Sequence, residues 1–475
     1  MRPEKIQSAA RTCPDTRTPF RLHRLGIVKR PLKIQNVPRE EVQRVAEDVY
    51  IYGYPLLLMD VMRRMHTAVP FPRFPSAPVN HFAHGRLLPG PHSKDVVRPH
   101  ADMLCSSAWL DLSKEPVVLS IPRTDRYYLL SIWSAWYEIF EAISPRNTGP
   151  EGGSFVFVGP QWSGRLPDDL KMVQAPTETV WIDGRFQAAG VEDIQVVHRM
   201  QDHFRLVPLT QWGKPPSSHS IPFRLDVDQA GTPEEQVARY DAPAFYKRLA
   251  RLMLKNPAQA CDAEMVAEFA WIGFFPGDDF AFEMLPAATV QAMHLAVPAA
   301  QVRIANAEKS AVAGKVINSW SLNLHPGRFE ADYISRAVAA RSGVAVALAE
   351  DMVCFQTAVD HTGEPLNGAN QYVIHFSRER IPPVNAFWSI TLYDSKQHLV
   401  QNNIHRHVIG DHDRLRLNSD NSLSIYIQHE WPGMNREFNW LPAPKDSFNL
   451  VVRMYWPKPD VFSGRWRPPA VTRMN

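Results

Sequence analysis

The chain has 475 residues, of which 45% are hydrophobic and 21% charged, so its composition excludes wholesale disorder and its length predicts two domains. The formal net charge of +3 excludes a strong overall field, and we expect neither nucleic acid nor an anionic membrane as a partner. No apolar run reaches the ~18 residues of a membrane span, and four widely spaced cysteines exclude a disulfide scaffold and a zinc ribbon.

Residues 1–35 are a basic arm, in which lysine and arginine far outnumber the two acidic residues. The arm lacks the apolar core of ~7 to 15 residues that a secretory signal needs, so we expect a cytoplasmic protein with a disordered or loosely docked extension. A mitochondrial presequence is the alternative, because Arg, Ser and Thr are frequent in the arm.

The first predicted helix follows this arm. Val42, Val45 and Val49 repeat at helical spacing after Pro38, which is a favourable residue at a helix start. The helix is predicted to end at Gly53-Tyr-Pro55, since proline lacks the backbone donor that a helix interior uses.

Alternating apolar residues then predict strands. Residues 117–121 and 127–133 follow the two-residue period of a pleated strand, and the turn residues 122–126 between them predict a hairpin. Residues 155–158 and 180–182 are further short strands between turns. Several short strands at this spacing are typical of a β-sandwich.

The rest of the chain divides into a helical middle and a strand-rich end. Residues 208–235 are a polar, proline-rich crossing, after which helical spacing resumes and continues through 287–312 and 329–340. The last third returns to clean two-residue alternation over residues 386–393, 423–428 and 448–456. This last pattern predicts an antiparallel sandwich or jelly roll.

We therefore predict a mainly β fold with helical additions, in which two β-sandwich, jelly-roll-like domains flank a helical segment. The predicted parts are the arm at 1–35, an N-terminal sandwich with a leading helix at 36–210, a crossing and helical segment at 211–345, and a C-terminal jelly-roll-like domain at 346–475.

Short motifs in both halves resemble a known two-domain family. They are Tyr50-Ile-Tyr-Gly-Tyr-Pro55, Ser106-Ser-Ala-Trp-Leu-Asp-Leu112, Arg126-Tyr-Tyr128, Arg146-Asn-Thr-Gly149, Pro382-Pro-Val-Asn-Ala-Phe-Trp-Ser389, Asn439-Trp-Leu-Pro442 and Arg453-Met-Tyr-Trp-Pro457. In this order, and over most of residues 40–470, the chain resembles the family that joins domain of unknown function 1254 to domain of unknown function 1214. The resemblance implies two β-sandwiches with helical additions and no assigned activity.

The chain departs from the family pattern at one place. Where the family usually shows Asn-x-Asp-Thr-Leu-Tyr, this chain has His100-Ala-Asp102-Met-Leu-Cys105, which keeps the acid and replaces the amide, the hydroxyl and the phenol. The resemblance therefore implies that the ligand or chemistry of this chain differs if those groups line a pocket. Relatives also often begin with an export signal, and we expect none in this chain.

His100 and Asp102 are the predicted catalytic pair. In an extended segment, residues two apart lie on one face about 6.5 to 7 Å apart, which lets both contact one substrate group. Asp102 is also suited to fix the tautomer of a nearby imidazole. The alternative is an aspartate that only caps backbone donors beside a turn.

Arginines and aromatic residues are the predicted ligand-binding groups. Arg123, Arg146 and Arg453 suit a planar anion such as a carboxylate, or else form structural ion pairs that hold loops to the sandwich. The aromatic candidates for a pocket or a sugar-stacking surface are Trp109, Tyr127, Trp133 and Trp388. Their alternative role is in the hydrophobic core.

Several histidines are possible metal ligands by residue type, but we predict no metal site. His405, His407 and His412 suit zinc by ligand type, yet the surrounding segment reads as a polar loop. His81 and His84 have H-x-x-H spacing without a helical pattern. No G-x-S-x-G elbow, H-E-x-x-H helix or phosphate loop occurs, so we predict no cofactor.

These features lead to three alternatives for the function. The first is a soluble, cofactor-independent enzyme that acts on a small organic molecule by acid/base chemistry, of the hydrolase, lyase or isomerase type. The second is a non-catalytic protein that binds a glycan or another small ligand. The third is an assembly protein whose proline-rich loops and jelly roll form homo-oligomers. The sequence leaves the substrate and the reaction open.

Overall fold

The computed structural model describes residues 38–94, 96–215, 226–277, 280–311, 315–322, 327–343 and 347–474. The predicted basic arm lies outside these residues. Within them the chain forms 19 strands in four sheets together with a layer of helices. The mainly β fold with helical additions is therefore confirmed, whereas the jelly-roll connection stays a prediction.

Two sheets form the N-terminal sandwich. Its strands are β1 (Phe82–His84), β2 (Met103–Asp111), β3 (Val117–Ile121), β4 (Tyr128–Ser134), β5 (Ile139–Ile143), β6 (Gly153–Val158), β7 (Lys171–Gln174), β8 (Thr179–Gln187) and β9 (Arg205–Pro208). One sheet has the order β1-β2-β8-β4-β5 and the other the order β7-β6-β3-β9. Alternate side chains such as Leu104, Leu119 and Ile132 pack between the sheets because the side-chain period of a strand is two.

The predicted hairpin is wrong, although both of its strands exist. β3 pairs with β6 and β9, whereas β4 pairs with β5 and β8 in the other sheet. Alternation identifies a strand and its buried face but not its neighbour, because any strand with a matching face can pair with it. Here the turn after Pro122 carries the chain across the core from one sheet to the other.

Gly152, beside this turn, gives a prediction for stability. Its φ is +69°, and a Cβ there would lie 2.4 Å from the carbonyl oxygen of Ile121 and 2.5 Å from that of Pro122. We expect Gly152→Ala to lower the free energy of unfolding by about 2 kcal/mol or more, measured by urea denaturation, because backbone atoms must move. Gly213→Ala is the control, since φ there is +73° with nothing within 4 Å, and only the positive φ costs about 1 kcal/mol. Equal losses in both variants contradict the clash.

Nine helices are present among the described residues. They are α1 (Arg39–Thr67), α2 (Pro145–Thr148), α3 (Ile194–His203), α4 (Pro233–Ala238), α5 (Ala242–Lys255), α6 (Ala263–Phe269), α7 (Ala287–Ala311), α8 (Tyr333–Arg341) and α9 (Pro459–Phe462). Helices α4 to α8 pack around α1 and supply the helical segment that the sequence predicts. In the described part of the chain no helix has the length and apolar composition needed to cross a bilayer.

The predicted end of the first helix at Pro55 is wrong, because α1 continues to Thr67. Every residue from Tyr50 to Val61 is buried, so the helix is enclosed on all sides by its neighbours. Proline in a helix interior costs about 3 kcal/mol, and tertiary packing of an enclosed helix offsets a loss of that size.

Two further sheets form the C-terminal sandwich. The strands are β10 (Lys315–Ile317), β11 (Trp320–Leu322), β12 (Met352–Thr357), β13 (Tyr372–Phe376), β14 (Trp388–Asp394), β15 (Val408–Gly410), β16 (Leu423–Gln428), β17 (Trp440–Pro442), β18 (Phe448–Tyr455) and β19 (Thr472–Arg473). One sheet has the order β10-β11-β12-β18-β14-β15 and the other the order β17-β16-β13-β19. The three strands predicted in the last third are β14, β16 and β18.

The two sandwiches contact each other through the outer faces of their larger sheets. Met103 of β2 and Leu129 of β4 belong to the same hydrophobic cluster as Met352 of β12 and Tyr455 of β18. The rings of Tyr127 and Tyr455 pack edge to face, with centroids 5.7 Å apart. Polar residues that the sequence places on these outer faces are consequently buried between the domains.

Candidate functional site

The segment from Arg98 to Asp102, just before β2, lies between the two domains and contacts both. The carbonyl oxygens of Arg98 and Pro99 accept hydrogen bonds from Arg453 (3.1 Å) and from the hydroxyl of Tyr393 (2.8 Å). Further along, the backbone N–H of Ala188 donates to the carbonyl oxygen of Asp102 at 2.9 Å. The segment is thus held on the outer face of the C-terminal sheet and the edge of the N-terminal one.

His100 contacts the C-terminal domain through its ring. Its Nδ1 lies 2.8 Å from the hydroxyl oxygen of Tyr455, which is fully buried. Burial, with the charges of Arg453 and Arg185, holds the pKa of His100 well below its ordinary value, so the imidazole is neutral near pH 7. Burial and the charge of Asp102 raise the pKa of Tyr455 well above its ordinary value, so the phenol keeps its proton.

The tautomer of His100 follows from this contact. The hydroxyl of Tyr455 has no other hydrogen-bond partner among the described residues, and a buried hydroxyl hydrogen needs an acceptor. It therefore donates to Nδ1, and Nε2 carries the ring hydrogen. His100 presents a neutral N–H donor.

Asp102 is buried without a partner. Its side chain is 1% exposed, and neither carboxylate oxygen has a hydrogen bond in the described part of the chain. Buried carboxylates are normally paired or hydrogen-bonded because the charged group loses its water. The carboxylate of Asp102 is therefore left to accept hydrogen bonds from a ligand or a water.

Arg453 supplies the opposite charge close to Asp102. It is 4% exposed and donates through Nη1 to Thr391 (3.2 Å) and to the hydroxyl of Tyr393 (2.8 Å), while its Nε has no hydrogen bond among the described residues. The guanidinium forms no ion pair with Asp102, although the two charges influence each other. A polar ligand between them would satisfy both.

Three residues of the C-terminal domain complete the arrangement. Ser389, which pairs with Arg453 in the sheet register, and His412, whose ring is 5.9 Å from that of Phe387, each carry a buried polar atom without a hydrogen bond among the described residues. Removal from water, with the charge of Asp102, raises the pKa of the Asp411 carboxyl group to about 6. The interdomain cluster is defined as His100, Asp102, Ser389, Asp411, His412, Arg453 and Tyr455.

The sequence predicted three members of the interdomain cluster, named His412 only as a zinc candidate, and missed three. His100, Asp102 and Arg453 were predicted, and the structure brings them together. Ser389 and Tyr455 lie inside motifs that carry the family resemblance, and strand alternation places Arg453 and Tyr455 on one face. Those two signals were available, whereas Asp411 and His412 lie in a loop without a pattern.

Two other predicted residues hold the domains together instead of facing the interdomain cluster. Arg146 forms two hydrogen bonds with the carboxylate of Asp351, at 2.9 and 2.8 Å, and Ser144 donates to the same carboxylate at 2.8 Å. The hydroxyl of Tyr127 donates to the carbonyl oxygen of Asp351 at 3.0 Å. Their polar groups are therefore already satisfied.

The side chains of the remaining predicted residues lie in other surroundings, although the backbone N–H of Trp388 donates to the carboxylate of Asp411 at 3.3 Å. Arg123 is 74% exposed and faces Glu151 at 3.5 Å on the surface. Trp109 is buried and stacks on Trp181 with ring centroids 5.7 Å apart, and Trp388 is buried in the C-terminal core. Neither tryptophan has a free face on which a sugar could stack.

The histidine-rich loop does not assemble a metal site. In the described part of the chain no group of three or more His, Cys, Asp or Glu side chains is arranged to hold a metal ion. His405 is exposed, Nδ1 of His407 lies 3.4 Å from the amide nitrogen of Asn402, and His412 packs on Phe387. The three imidazole rings therefore lie in different environments and do not converge on one point.

Comparison with known proteins gives matches without an activity. The model of DUF1254, described as a protein of unknown function, matches residues 79–208, and that of DUF1214, described in the same words, matches residues 351–459. The two models cover the strands of the N-terminal sandwich and most of those of the C-terminal one. No curated protein matches the sequence.

Two solved structures were compared with the chain, and one of them has a similar fold over most of its length. The crystal structure of the VPA0106 protein from Vibrio parahaemolyticus has a TM-score of 0.71 and 22% identity, over 91% of this chain and 100% of that one. A putative uncharacterized protein from Burkholderia cenocepacia is similar at a TM-score of 0.39 and 11% identity, over 92% and 94% of the two chains. The first likeness shows that the two-sandwich fold is shared.

Proposed function

We propose a function from the geometry of the chain itself. The chain belongs to the two-domain family that joins DUF1254 to DUF1214, and both domains are described as being of unknown function. The interdomain cluster is the site of a cofactor-independent enzyme that moves a proton on a small organic molecule. The supporting observation is the carboxylate of Asp102, which is buried with both oxygens free of hydrogen bonds among the described residues.

Asp102 is the general base in this proposal. Its free oxygen lone pairs are available to a substrate C–H or O–H, and burial removes the water that would otherwise compete for them. A positioned general base typically raises the rate by about 10²- to 10⁴-fold, and we expect a contribution of this size from Asp102.

Asp102 takes the proton as H⁺, and His100 and Arg453 stabilise the negative charge that stays behind on the substrate. The neutral imidazole donates through Nε2–H, and its neutrality means that the developing anion does not capture a full proton from it. The guanidinium of Arg453 stabilises the same anion by its charge, with Nε free to donate. A base, a neutral donor and a fixed cation fit proton abstraction beside a carbonyl group, the chemistry of isomerases and lyases.

Exchange of substrate hydrogen with solvent tests the proposal. We expect the wild-type chain in D₂O to incorporate deuterium beside the carbonyl of at least one member of a panel of small keto and hydroxy acids, read by NMR. Asp102→Asn should lower that rate at least ~100-fold, because the amide is not a base. Asp125→Asn is the control, since Asp125 is exposed in a turn of the same domain.

Two outcomes contradict the assignment of Asp102. One is a panel on which the wild-type chain exchanges no hydrogen above the uncatalysed rate. The other is an Asp102→Asn variant that exchanges as fast as the wild type while its circular dichroism spectrum and melting temperature are unchanged.

A further inference from the structure

A cavity lies at the open edge of the N-terminal sandwich, on the face of the sheet opposite the interdomain cluster. Its volume is about 440 Å³, within the range of small-molecule sites. The lining residues are Pro72, Arg73, Phe74, Phe82, His84 and Arg86. Phe82 and His84 share a face of the edge strand β1, because they are two residues apart.

Hydrogen bonds fix the tautomer of His84 in this cavity. The side-chain amide nitrogen of Gln201 donates to Oγ of Ser106 at 3.1 Å, and that oxygen lies 2.8 Å from Nδ1 of His84. Ser106 is 1% exposed, and its hydroxyl has no other acceptor among the described residues, so it donates to Nδ1. Nε2 of His84 therefore carries a hydrogen and is left for a ligand.

His84 stays neutral in the physiological range. Burial, with the charge of Arg86, lowers the pKa of the imidazole to about 4. The cavity thus offers an N–H donor whose strength does not depend on protonation near pH 7.

Two arginines line the cavity, Arg73 and Arg86, and of these only Arg86 is neutralised by an ion pair with a described residue. Arg86 pairs with Asp202 and also donates to the carbonyl oxygen of His198 at 3.1 Å and to the side-chain oxygen of Gln201 at 3.2 Å, so its donors are occupied. Arg73 is exposed and forms no ion pair with any described residue. One uncompensated positive charge therefore faces the cavity.

Aromatic rings supply the apolar part of the cavity. Phe82 is 8% exposed and stacks on His84 with ring centroids 5.3 Å apart and planes at 21°. Phe74 is 44% exposed and lies over Gly85, where a Cβ would meet its ring at 3.5 Å. An exposed phenyl ring beside a cavity leaves a face for a second aromatic ring.

We infer that this cavity binds an aryl carboxylate, with the carboxylate between Arg73 and Nε2–H of His84 and the ring against Phe74. The guanidinium fork matches the two oxygens of a planar carboxylate, and the imidazole adds one neutral donor. A single free cation suits a monoanion better than a phosphate dianion, and the phenyl wall favours an aromatic acid over an aliphatic one. This site is separate from the interdomain cluster and does not rest on its proposed chemistry.

Isothermal titration calorimetry of the full chain with 2-naphthoate tests the inference. We expect binding with a dissociation constant below ~1 mM at ~0.15 M salt. Replacement of the carboxylate, in 2-naphthamide, and of the ring, in cyclohexanecarboxylate, should each weaken binding at least ~10-fold, because each removes one of the two recognised features.

Matched variants locate the ligand. Arg73→Gln should weaken 2-naphthoate binding at least ~10-fold, whereas Arg123→Gln, which removes an exposed arginine elsewhere in the same domain, and Asp102→Asn should leave it within about twofold. Any one of three results overturns the inference: no heat of binding for 2-naphthoate, unchanged affinity in Arg73→Gln, or equal losses in Arg73→Gln and Arg123→Gln.

Discussion

Replacement of Arg146 by methionine is expected to lower the free energy of unfolding by about 3–5 kcal/mol. The carboxylate of Asp351 is 0% exposed and depends on Arg146 for two of its three side-chain hydrogen bonds. Without the guanidinium, the buried carboxylate of Asp351 keeps only the hydrogen bond from the hydroxyl of Ser144. The uncompensated charge destabilises the contact between the domains. Denaturation in urea measures the loss.

Arg123→Met is the matched control for this prediction. Arg123 is 74% exposed and Glu151 is 68% exposed, at a separation of 3.5 Å, so solvent screens the pair and we expect a change of at most about 0.5 kcal/mol. Both arginines lie in the same domain and undergo the same substitution. A similar loss in the two variants would show that the buried pair at Arg146 has no special weight.

The second large effect concerns pH. Glu138 is 7% exposed, and burial raises the pKa of its carboxyl from an ordinary 4.5 to about 7, despite the nearby charge of Arg336 and a hydrogen bond from the backbone N–H of Phe329. The folded state binds this proton more tightly than the unfolded state. The resulting stabilisation is complete below pH ~4.5 and is lost as the pH rises to ~7.

The size of this pH effect follows from the shift. One pKa unit corresponds to about 1.4 kcal/mol, so Glu138 should remove about 3 kcal/mol of stability between pH ~4.5 and ~7.5. Glu138→Gln is neutral at every pH, and its free energy of unfolding relative to the wild type should rise by that amount over this window. Chemical denaturation at a series of pH values measures the difference and cancels the other titrating groups.

Glu192→Gln is the control for the pH series, since Glu192 is exposed at the start of a helical turn in the N-terminal domain. The same substitution at this exposed position should change the free energy of unfolding by at most about 0.5 kcal/mol. The prediction fails if Glu138→Gln and Glu192→Gln give the same flat difference.

Sequence patterns predict where the strands of this fold lie more reliably than they predict which strands pair. The two-residue period located β3, β4, β14, β16 and β18, because burial of one face imposes it on any strand. The same period does not show which strands pair. It predicts a hairpin of β3 and β4, although these strands belong to different sheets. Proline at position 55 suggested a helix end, yet packing on every side of α1 outweighs the lost hydrogen bond.

The candidate site shows a similar division. His100 and Asp102 are two residues apart, so one extended segment was enough to relate them. Arg146 and Arg123 have the same chemistry in the sequence, and only the structure separates a buried bidentate pair from an exposed one. Asp411 and Asp102 influence each other by charge across the domain interface, and this proximity depends on the packing of whole sheets and has no local signal.

Two of the hydrogen bonds between the segment from Arg98 to Asp102 and the second domain use main-chain oxygens of the segment. Arg453 and Tyr393 donate to the carbonyl groups at positions 98 and 99, and a carbonyl is present whatever side chain the residue carries. Mutational drift at these two positions therefore leaves both acceptors in place, whereas exchange of Tyr393 for phenylalanine or of Arg453 for leucine deletes a donor outright. For these two hydrogen bonds, tolerance to substitution is therefore one-sided: residues 98 and 99 keep their acceptors whatever their side chains, whereas residues 393 and 453 must keep their donors.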